Sequence, residues 1–320
     1  MISCVSETVA ARLVTLRDAI SLMESAFAAL DRGDSKLFPF VAGHGSDPKT
    51  RFGAKLGYDG PRRLPGLKVG SYWPGNVARG LGNHGSTTLL LDDETGLPVA
   101  LVAATHLTAL RTAAADAVAV KHLSRPDASV LAMVGAGHQA YWDARAIAEV
   151  RRLDRILVCG RNPATAEALA VRLRQVELPA LACPLHDALA QADVVSTVTA
   201  SRAPLFRAEQ IRPGTHVSAM GADGPGKQEL DPKLAVMASL WADLPSQSVI
   251  MGEFQHFGVG VGAHVRPIGG LLSGRLPGRR SEDEITIYDS SGVALQDLAI
   301  CAFALERAQA EGLVLSLDLS

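Results

Sequence analysis

The sequence predicts an α/β fold in which a doubly wound parallel sheet is joined to an α+β domain. After about residue 120, unbroken apolar runs alternate with helical stretches, as buried parallel strands alternate with crossover helices. Before that point, residues 41–85 are rich in glycine and proline and contain short β-like pieces. A glycine-rich turn joins the first apolar strand of the second half to a helix, which is typical of doubly wound sheets.

The first half is predicted to contain a helix over residues 15–32 and then a β-hairpin. Apolar side chains recur in the helix at spacings of three and four, so they share one face. Thr15 can cap the start of this helix, and Gly33 is suited to its end. The hairpin has strands over residues 87–91 and 97–102, joined by an acidic turn.

The second half is predicted to alternate strands with helices. The predicted strands cover residues 129–134, 155–159, 193–197 and 216–220, and the predicted helices cover residues 108–122, 139–151, 163–175 and 294–309. We therefore expect two domains. Residues 121–294 form the parallel-sheet domain, and residues 1–120 together with 295–320 form the α+β domain, to which the last helix returns.

Composition argues against several classes of protein. A net charge of −2 and a pI of about 6.5 leave no basic surplus for nucleic acid. No apolar run approaches the roughly 18 residues that a membrane helix needs, so we expect a soluble, cytoplasmic protein without a membrane partner. The cysteines are far apart in sequence, which favours reduced thiols and predicts no metal site. They are Cys4, Cys159, Cys183 and Cys301.

The turn after residues 129–134 has the spacing Gly135-x-Gly137-x-x-Ala140. Gly135 permits a tight turn, Gly137 lets the backbone approach a pyrophosphate, and Ala140 allows close packing of helix on strand. The following helix presents free N–H groups to the anion. A purely structural glycine turn is the alternative, but the strand before it and the helix after it favour a dinucleotide-binding Rossmann domain.

Residues after the second strand of this domain predict the form of the cofactor. Proteins that bind NAD usually have a carboxylate there, whereas this chain has Gly160, Arg161 and Asn162. The Arg161 guanidinium can pair with a 2′-phosphate, and no carboxylate is present to repel that phosphate. The sequence therefore favours NADPH, with NADH possible. The alternative is that Arg161 is an exposed residue of a turn.

Three charged residues stand in surroundings that suggest a site. Lys68 lies within an apolar strand, and Arg111 lies on an otherwise apolar helix, where a cation is costly unless it meets an anion. Asp223 follows a strand that runs into a glycine-rich loop, which is where ligands bind in doubly wound sheets. For each residue taken alone, a purely structural role is as good an explanation as a functional one.

Several blocks along the chain resemble one known family. These blocks are residues 66–69 (GLKV), 71–76 (SYWPGN), 80–88 (GLGNHGSTT), 107–114 (LTALRTAA), 221–230 (GADGPGKQEL) and 283–290 (DEITIYDS). With the glycine turn, they are similar to the ornithine cyclodeaminase/mu-crystallin family and in particular to its 1-pyrroline-2-carboxylate reductases. The resemblance implies a Rossmann domain, a substrate-binding and dimerisation domain, and a homodimer.

The resemblance also implies roles for residues. Lys68 and Arg111 would bind a substrate carboxylate, and Asp223 would be the acid/base group beside the substrate nitrogen. Further substrate contacts would be Arg51, His84 and Ser291. The cofactor contacts would be Asn83, Gly135, Gly137, His138, Gln139, Arg161, Asn162, Thr199, Met220, Lys227 and Ser290.

Two positions depart from the cyclodeaminase pattern. Cyclodeaminases have a Glu that can hold the distal amine of ornithine, and the residue nearest to it here is Lys55. A lysine would repel a second ammonium group. The family's additional carboxylate-binding arginine has Arg51 as its best counterpart, with a surface role as an equal alternative. His84 could line the substrate pocket, and a structural role in the core or in a turn explains it equally well.

The resemblance implies reduction of cyclic ketimine acids, and Arg161 favours NADPH as the reductant. The expected reactions are 1-pyrroline-2-carboxylate to L-proline and 1-piperideine-2-carboxylate to L-pipecolate. The alternatives are an NAD-dependent ornithine cyclodeaminase and an enzyme like alanine dehydrogenase. A non-catalytic NADPH-dependent ligand binder is the rival class. It is disfavoured because a pure binder has no need of Lys68, Arg111 and Asp223 together.

Overall fold

The structure, a computed structural model, describes residues 1–318 and divides into two compact units. Unit 1 comprises Met1–Arg111 together with the chain from Val293 onward, and unit 2 comprises Thr112–Gly292. Within the described residues, no helix is both long enough and apolar enough to cross a membrane.

The chain begins with the strands and helices of unit 1. These are β1 (Ile2–Val5), α1 (Glu7–Leu13), α2 (Leu16–Arg32), β2 (Lys36–Leu37), β3 (Val41–Gly43), β4 (Arg51–Asp59), β5 (Leu64–Tyr72), β6 (His84–Leu91), β7 (Pro98–Ala103) and α3 (Thr105–Leu123). The division between the units falls inside α3, as does the predicted boundary at residue 120.

Local sequence signals account for α2. The Thr15 hydroxyl accepts a hydrogen bond from the Asp18 backbone N–H, and the Asp18 carboxylate accepts one from the Thr15 backbone N–H. This reciprocal capping satisfies donors that the first turn of a helix leaves free. Gly33 ends the helix at φ 80°, a left-handed conformation that glycine adopts without strain. The predicted helix and both of its caps are confirmed.

Unit 2 continues the chain with alternating strands and helices. These are β8 (Val130–Val134), α4 (His138–Val150), β9 (Arg155–Cys159), α5 (Pro163–Arg174), β10 (Ala180–Ala182), α6 (Leu185–Leu189), β11 (Val194–Thr197), β12 (His216–Ala219), β13 (Ala238–Ala242), α7 (Pro245–Met251), β14 (Arg266–Pro267), α8 (Ile268–Leu272) and β15 (Ile285–Asp289).

The sheet of unit 2 is parallel and doubly wound, as predicted. Its order is β10-β9-β8-β11-β12-β15-β13-β14, and every pairing in it is parallel. The chain leaves β8 toward β9 on one side and later returns to β11 on the other. The edge between β8 and β11 is thus the switch point at which such sheets bind ligands. Alternate residues of β8 belong to two different apolar clusters: Leu131 lies in one and Ala132 in the other. This is expected because both faces of the sheet are covered.

The chain then returns to unit 1 through α9 (Ala294–Ala310) and β16 (Leu315–Leu317). The sheet of unit 1 has the order β16-β1-β7-β6-β5-β4-β2, and β3 pairs with β4. Only its β1–β7 pairing is parallel among the strands described. Helix α9 packs closely on β5, since a Cβ at Gly66 would lie 2.7 Å from Cδ2 of Leu298. This close approach brings the first turn of α9 onto the sheet.

Candidate active site

Unit 1 contains a buried ionic cluster built from three separate elements. Lys68 on β5 and Arg111 on α3 both bond to one oxygen of Asp297 on α9. The Lys68 Nζ to Asp297 Oδ1 distance is 3.0 Å, and the Arg111 Nε to Asp297 Oδ1 distance is 3.1 Å. All three side chains are less than a tenth exposed. The structure thus brings the two predicted carboxylate-binding residues together on an acid that the sequence reasoning missed.

The cluster carries more positive than negative charge. Burial is the largest influence on Lys68 and lowers its pKa to about 8, although the attraction of Asp297 opposes this shift. Burial alone would raise the pKa of Asp297, but the charges of Arg111 and Lys68 outweigh it and the pKa is lowered. Oδ2 of Asp297 is buried and has no hydrogen-bond partner among the described residues. Two cations thus share one oxygen of one carboxylate, an arrangement suited to receiving a second anion.

The neighbouring strand adds a further lysine to this face of the sheet. Lys55 on β4 is directly opposite Lys68 on β5. Residues directly opposite in an antiparallel pair point to the same side of the sheet. The next pair on that side is Gly53 and Gly70, and a Cβ at Gly70 would have only Lys68 Cε within 4 Å, at 3.9 Å. Open space therefore lies beside Lys68.

The remaining predicted residues of unit 1 lie toward the ends of these strands. Arg51 is exposed and is opposite Tyr72 in the strand pairing. His84 is exposed, and its ring centroid lies 4.8 Å from that of Tyr72. Asn83 Oδ1 is buried and accepts no hydrogen bond from the described residues. An unsatisfied buried oxygen indicates a place for a ligand or a water donor.

In unit 2, the predicted glycine turn joins β8 to α4. Gly135 has φ 131°, and a Cβ there would lie 2.7 Å from the carbonyl oxygen of Val198. Gly137 precedes α4, and a Cβ there would meet nothing within 4 Å. Ala140 is fully buried, as close packing of α4 requires. The turn thus leaves an open cradle at the start of a helix, which fits the pyrophosphate of a nicotinamide dinucleotide.

The first two residues of α4 are positioned by the helix itself. His138 Nε2 lies 3.2 Å from the donor Nε1 of Trp142, so this ring nitrogen acts as an acceptor. Burial and then the charge of Arg172 lower the pKa of His138, which keeps its ring neutral. Gln139 donates from Nε2 to the buried Asp143, at 2.6 Å. Both side chains stand beside the glycine cradle.

The two residues predicted to read the cofactor's ribose are exposed after β9. The Asn162 side chain accepts a hydrogen bond from the Ala164 backbone N–H at 2.9 Å and thereby caps α5. This role explains Asn162 without a cofactor. Arg161 is exposed at the carboxyl end of the strand. The ribose of the adenosine half of a bound dinucleotide is expected there.

Asp223 is in the loop after β12 and is paired with Lys227. The Lys227 ammonium bonds to Asp223 Oδ1 and also to the Gly221 carbonyl oxygen at 3.3 Å. The Asp223 side chain is 60% exposed, whereas that of Lys227 is 24% exposed. A predicted acid/base group and a predicted cofactor contact are therefore neighbours on one loop.

The buried Glu229 organises this edge of the sheet, and sequence reasoning missed it. Its carboxylate accepts hydrogen bonds from the backbone N–H and the hydroxyl of Thr199, at 2.6 and 2.7 Å. It also accepts bonds from the Thr197 hydroxyl at 2.8 Å and the Gly221 N–H at 2.9 Å. Glu229 thus holds the loop after β11 to the loop after β12. Met220 is buried between β12 and this loop.

The two predicted serines follow β15 and are held by Asp243. The Ser291 hydroxyl donates to Asp243 Oδ1 at 3.1 Å and accepts from Gln247 Nε2 at 2.8 Å. The Ser290 hydroxyl lies 3.5 Å from Asp243 Oδ2. Both serines are nearly fully buried.

A parallel doubly wound sheet with an open glycine cradle defines a dinucleotide-binding domain, and the chain's similarity to known reductases and dehydrogenases gives its class, an NAD(P)-dependent oxidoreductase. The particular family is equally clear, because the ornithine cyclodeaminase/mu-crystallin family matches residues 1–312. The chain belongs to that family, so the resemblance found in the sequence is confirmed. The predicted fold class is confirmed as well.

Three known proteins are similar over nearly their whole length. The iminosuccinate reductase of Paracoccus denitrificans is 39% identical over 319 residues, which cover 98% of this chain and 99% of that protein. Its structure in complex with NAD⁺ superposes with a TM-score of 0.94. The structure of an archaeal alanine dehydrogenase dimer with bound NAD has a TM-score of 0.93 at 30% identity, covering 100% and 99% of the two chains. The Thermococcus litoralis Δ1-pyrroline-2-carboxylate reductase, in complex with NADH and L-proline, has a TM-score of 0.92 at 27% identity, covering 99% and 100%.

Proposed function

We propose that the protein reduces the C=N bond of 2-imino acids, with NADPH as the preferred cofactor. The observation that carries the proposal is the buried pair of Lys68 and Arg111, which share one oxygen of Asp297. A buried site with surplus positive charge favours a carboxylate ligand, because the ligand supplies the missing negative charge. The open glycine cradle of unit 2 supplies the dinucleotide site.

Each residue has a distinct task in the proposed reaction. Lys68 and Arg111 bind the substrate carboxylate and so fix the orientation of the imine carbon. The nicotinamide, when bound, supplies the hydride that this carbon accepts. Asp223 supports the proton on the imine nitrogen, either by donating it or by stabilising the iminium charge. The products are an amino acid and the oxidised cofactor.

Two kinds of substrate are candidates, and each has its own support. Cyclic ketimine acids, 1-pyrroline-2-carboxylate and 1-piperideine-2-carboxylate, are favoured by the resemblance of residues 71–76 and 80–88 to reductases of such rings, and by the similarity to the Thermococcus litoralis enzyme. Iminosuccinate is favoured by the 39% identity to the Paracoccus denitrificans enzyme over nearly the whole chain.

Lys55 argues against ornithine cyclodeamination as the main activity. It is opposite Lys68 on the same side of the sheet, and a diamino acid would bring a second ammonium to this positively charged region. An activity like that of alanine dehydrogenase uses the same carboxylate contacts and differs in the side of the pocket that receives the side chain. A non-catalytic binder would not require Asp223 beside a nucleotide site.

NADPH preference is proposed from Arg161. Its exposed guanidinium follows β9 and has no carboxylate beside it in sequence, whereas a 2′-phosphate needs a cationic partner there. The similar structures named above contain NAD⁺, NAD or NADH, so NADH is expected to be accepted as well.

We also propose a homodimer formed through unit 1. On the side of the sheet opposite to Lys68, apolar side chains are exposed on neighbouring strands. They are Phe52, Leu56, Val69 and Leu101, at 47, 36, 42 and 38% exposure. Such a patch on a sheet face is typical of an interface. Light scattering should give the mass of a dimer, and Val69→Asp should shift it toward the monomer.

The proposal is tested by following the absorbance of reduced cofactor with each imine. The substrates are 1-pyrroline-2-carboxylate, 1-piperideine-2-carboxylate and iminosuccinate formed from oxaloacetate and ammonia, each with NADPH and with NADH. Rapid oxidation with at least one imine is expected. L-Ornithine with NAD, assayed for ammonia, is the control. Ammonia release from ornithine without oxidation by any imine would overturn the proposal.

A further inference from the structure

We infer that Lys55 binds a second, distal carboxylate, so that the preferred substrate is a dicarboxylic 2-imino acid. The inference rests on the proposed function and narrows its substrate class. Lys68 and Arg111 are already assigned to the carboxylate next to the imine carbon. The question is which ligand group the neighbouring Lys55 receives.

The strand pairing places Lys55 beside the carboxylate-binding pair. Lys55 on β4 and Lys68 on β5 are directly opposite each other. Side chains in such positions have Cβ atoms about 4.5–5.5 Å apart and project to the same side of the sheet. This is the side of the sheet on which α9 packs. Gly57 is two residues beyond Lys55 and so faces the same side, and a Cβ added there would contact Ala294 and Leu298 of α9. Lys55 therefore projects toward the site that contains Asp297.

Two lysines placed in this way repel each other unless anions lie between them. Like charges directly opposite in a sheet are destabilising. The charged groups that act most strongly on Lys68 are Asp297, Arg111 and Lys55, and the two cations among them lower its pKa. All three cations also act on Asp297, whose pKa they lower. A second carboxylate on the ligand adds negative charge between Lys55 and Lys68, which a monocarboxylate does not.

The surface around the lysine pair leaves room for the carbon chain of such a ligand. Gly53 and Gly70 form the next directly opposite pair, and beside Gly70 the space is open. On the Gly53 side, the ring of Phe40 fills the position of the missing side chain, since a Cβ there would lie 2.6 Å from that ring. The Lys55 ammonium lies 5.6 Å from the centroid of the same ring. Phe40 thus borders the space next to Lys55, and Gly70 leaves open the space next to Lys68.

This arrangement distinguishes between the candidate substrates. The two carboxylates of a four-carbon imino acid can contact the two opposed lysines at the same time. A cyclic ketimine acid has no group for Lys55, and a diamino acid brings a group that Lys55 repels. Lys55 is therefore a residue for specificity rather than for the chemical step.

A matched pair of substrates isolates the second carboxylate. Iminosuccinate, from oxaloacetate and ammonia, differs from 2-iminopropionate, from pyruvate and ammonia, by that group alone. The wild-type enzyme should have the higher kcat/KM for iminosuccinate. Lys55→Gln should lower the ratio of the two kcat/KM values by about 10- to 100-fold, mainly through KM for iminosuccinate, as loss of a charged hydrogen bond does. Lys55→Arg should retain most of the ratio, because it retains the charge.

An exposed lysine of the same unit gives the control. Lys36→Gln removes the same charge from β2 and should leave the ratio at its wild-type value. A ratio that Lys55→Gln does not change, or a wild-type preference for 2-iminopropionate, would overturn the inference while leaving imine reduction intact.

Binding without turnover separates this inference from the proposed function. Calorimetry of the cofactor-bound enzyme with succinate and with propionate should show tighter binding of succinate in the wild type and not in Lys55→Gln. That result without reduction of any imine would support the dicarboxylate site and reject the proposed reaction. Equal binding of succinate and propionate to the wild type would reject the site.

Discussion

The ammonium of Lys68 lies 3.0 Å from Oδ1 of Asp297, and both side chains are almost completely buried. The protein therefore provides an internal carboxylate for the cation that is proposed to bind the substrate carboxylate. Since Arg111 shares the same oxygen, Asp297 links β5, α3 and α9 at one point. The ionic cluster has a structural task in the free protein, and its remaining positive charge is available to a ligand.

Replacement of Asp297 by Asn should destabilise the protein strongly. It removes the carboxylate but leaves Lys68 and Arg111 buried, and breaking a buried ion pair in this way costs about 3–5 kcal/mol. Urea unfolding should therefore show a lower free energy of unfolding by that amount. The proposed carboxylate binding should weaken as well, because the two cations lose the group that holds them in place.

Glu311→Gln is the matched control for that variant. Glu311 pairs with Arg12 at 3.1 Å, but their side chains are 48 and 61% exposed. Exposed pairs contribute about 0–1 kcal/mol, so the control should unfold nearly like the wild type. Equal effects of the two substitutions would show that the buried cluster is not a special source of stability.

Substrate binding should weaken as the pH rises through about 8. Burial lowers the pKa of Lys68 from 10.5 to about 8, so the lysine is charged below pH 8 and neutral above it. A neutral amine binds a carboxylate poorly. The value of kcat/KM, measured from pH 6 to pH 10, should thus be highest at or below pH 8 and fall on the alkaline side, with the effect in KM.

Glu253 is the alternative origin of such an alkaline limb, because its burial raises its pKa to about 8 as well. Its carboxylate accepts backbone hydrogen bonds from Glu229 and Leu230. Glu253→Gln should keep the limb if Lys68 is its cause. Lys68→Arg should move the limb to higher pH, since a guanidinium stays charged. A limb that follows Glu253 instead would contradict the assignment.

Asp223→Asn should strongly lower turnover but leave cofactor binding intact. Loss of a positioned acid/base group lowers kcat by about 10²- to 10⁴-fold. The glycine cradle is on a different loop, and Asn retains an oxygen that can accept from Lys227, so the Kd for NADPH, measured by fluorescence titration, should remain close to the wild-type value. Asp127→Asn serves as the control, because that aspartate is 77% exposed and pairs with Arg125. An active Asp223→Asn enzyme would remove this residue from the mechanism.

Arg161→Ala should reduce the preference for NADPH over NADH. The arginine is proposed to pair with the 2′-phosphate, which NADH lacks, so only the kcat/KM for NADPH should fall, by about tenfold or more. Arg155→Ala is the control. Arg155 begins the same strand β9 at its opposite end and bonds to Gln191 at 2.6 Å. If kcat/KM falls equally for NADPH and NADH, Arg161 is not the residue that discriminates between them.

The sequence predicted best those elements whose signals are local. Helix α2 has a periodic apolar pattern with nearby caps, and strands β8, β9, β11 and β12 are unbroken apolar runs; the structure confirms all five within one or a few residues. Strand β4 (Arg51–Asp59) was read only as part of a glycine-rich stretch. Its glycines at 53 and 57 make room for Phe40 and α9. Tertiary packing therefore explains these glycines, and it leaves no periodic pattern in the sequence. Strands β1, β13 and β15 were not predicted either.

The candidate site was predicted in its cations but not in its internal acid. Lys68 and Arg111 stood out as charges in apolar segments, and the structure confirms that they meet an anion. Asp297 is separated from Lys68 by 229 residues and from Arg111 by 186, so no spacing connects them. The available signal was the same one, since Asp297 is the single charged residue among the mostly apolar residues 294–304 of the predicted helix. Glu229 escaped because its partners are mostly backbone N–H groups and hydroxyls, which any sequence contains.

The two glycines of the cofactor turn should separate protein stability from cofactor binding. At Gly135, φ is 131° and an added Cβ would lie 2.7 Å from the Val198 carbonyl oxygen. Gly135→Ala should therefore lower the free energy of unfolding by about 2 kcal/mol or more, even without cofactor. At Gly137, φ is −89° and an added Cβ meets nothing within 4 Å. Gly137→Ala should melt like the wild type in the absence of cofactor.

Cofactor binding should show the opposite contrast, because the open space at Gly137 is where the pyrophosphate approaches the backbone. Gly137→Ala should raise the Kd for NADPH by about tenfold or more, since a methyl group in that space separates the phosphate from the N–H groups of α4. Thermal melts with and without NADPH measure both effects in one series. A Gly137→Ala protein that is stabilised by NADPH as strongly as the wild type would mean that the pyrophosphate does not approach the chain at this residue.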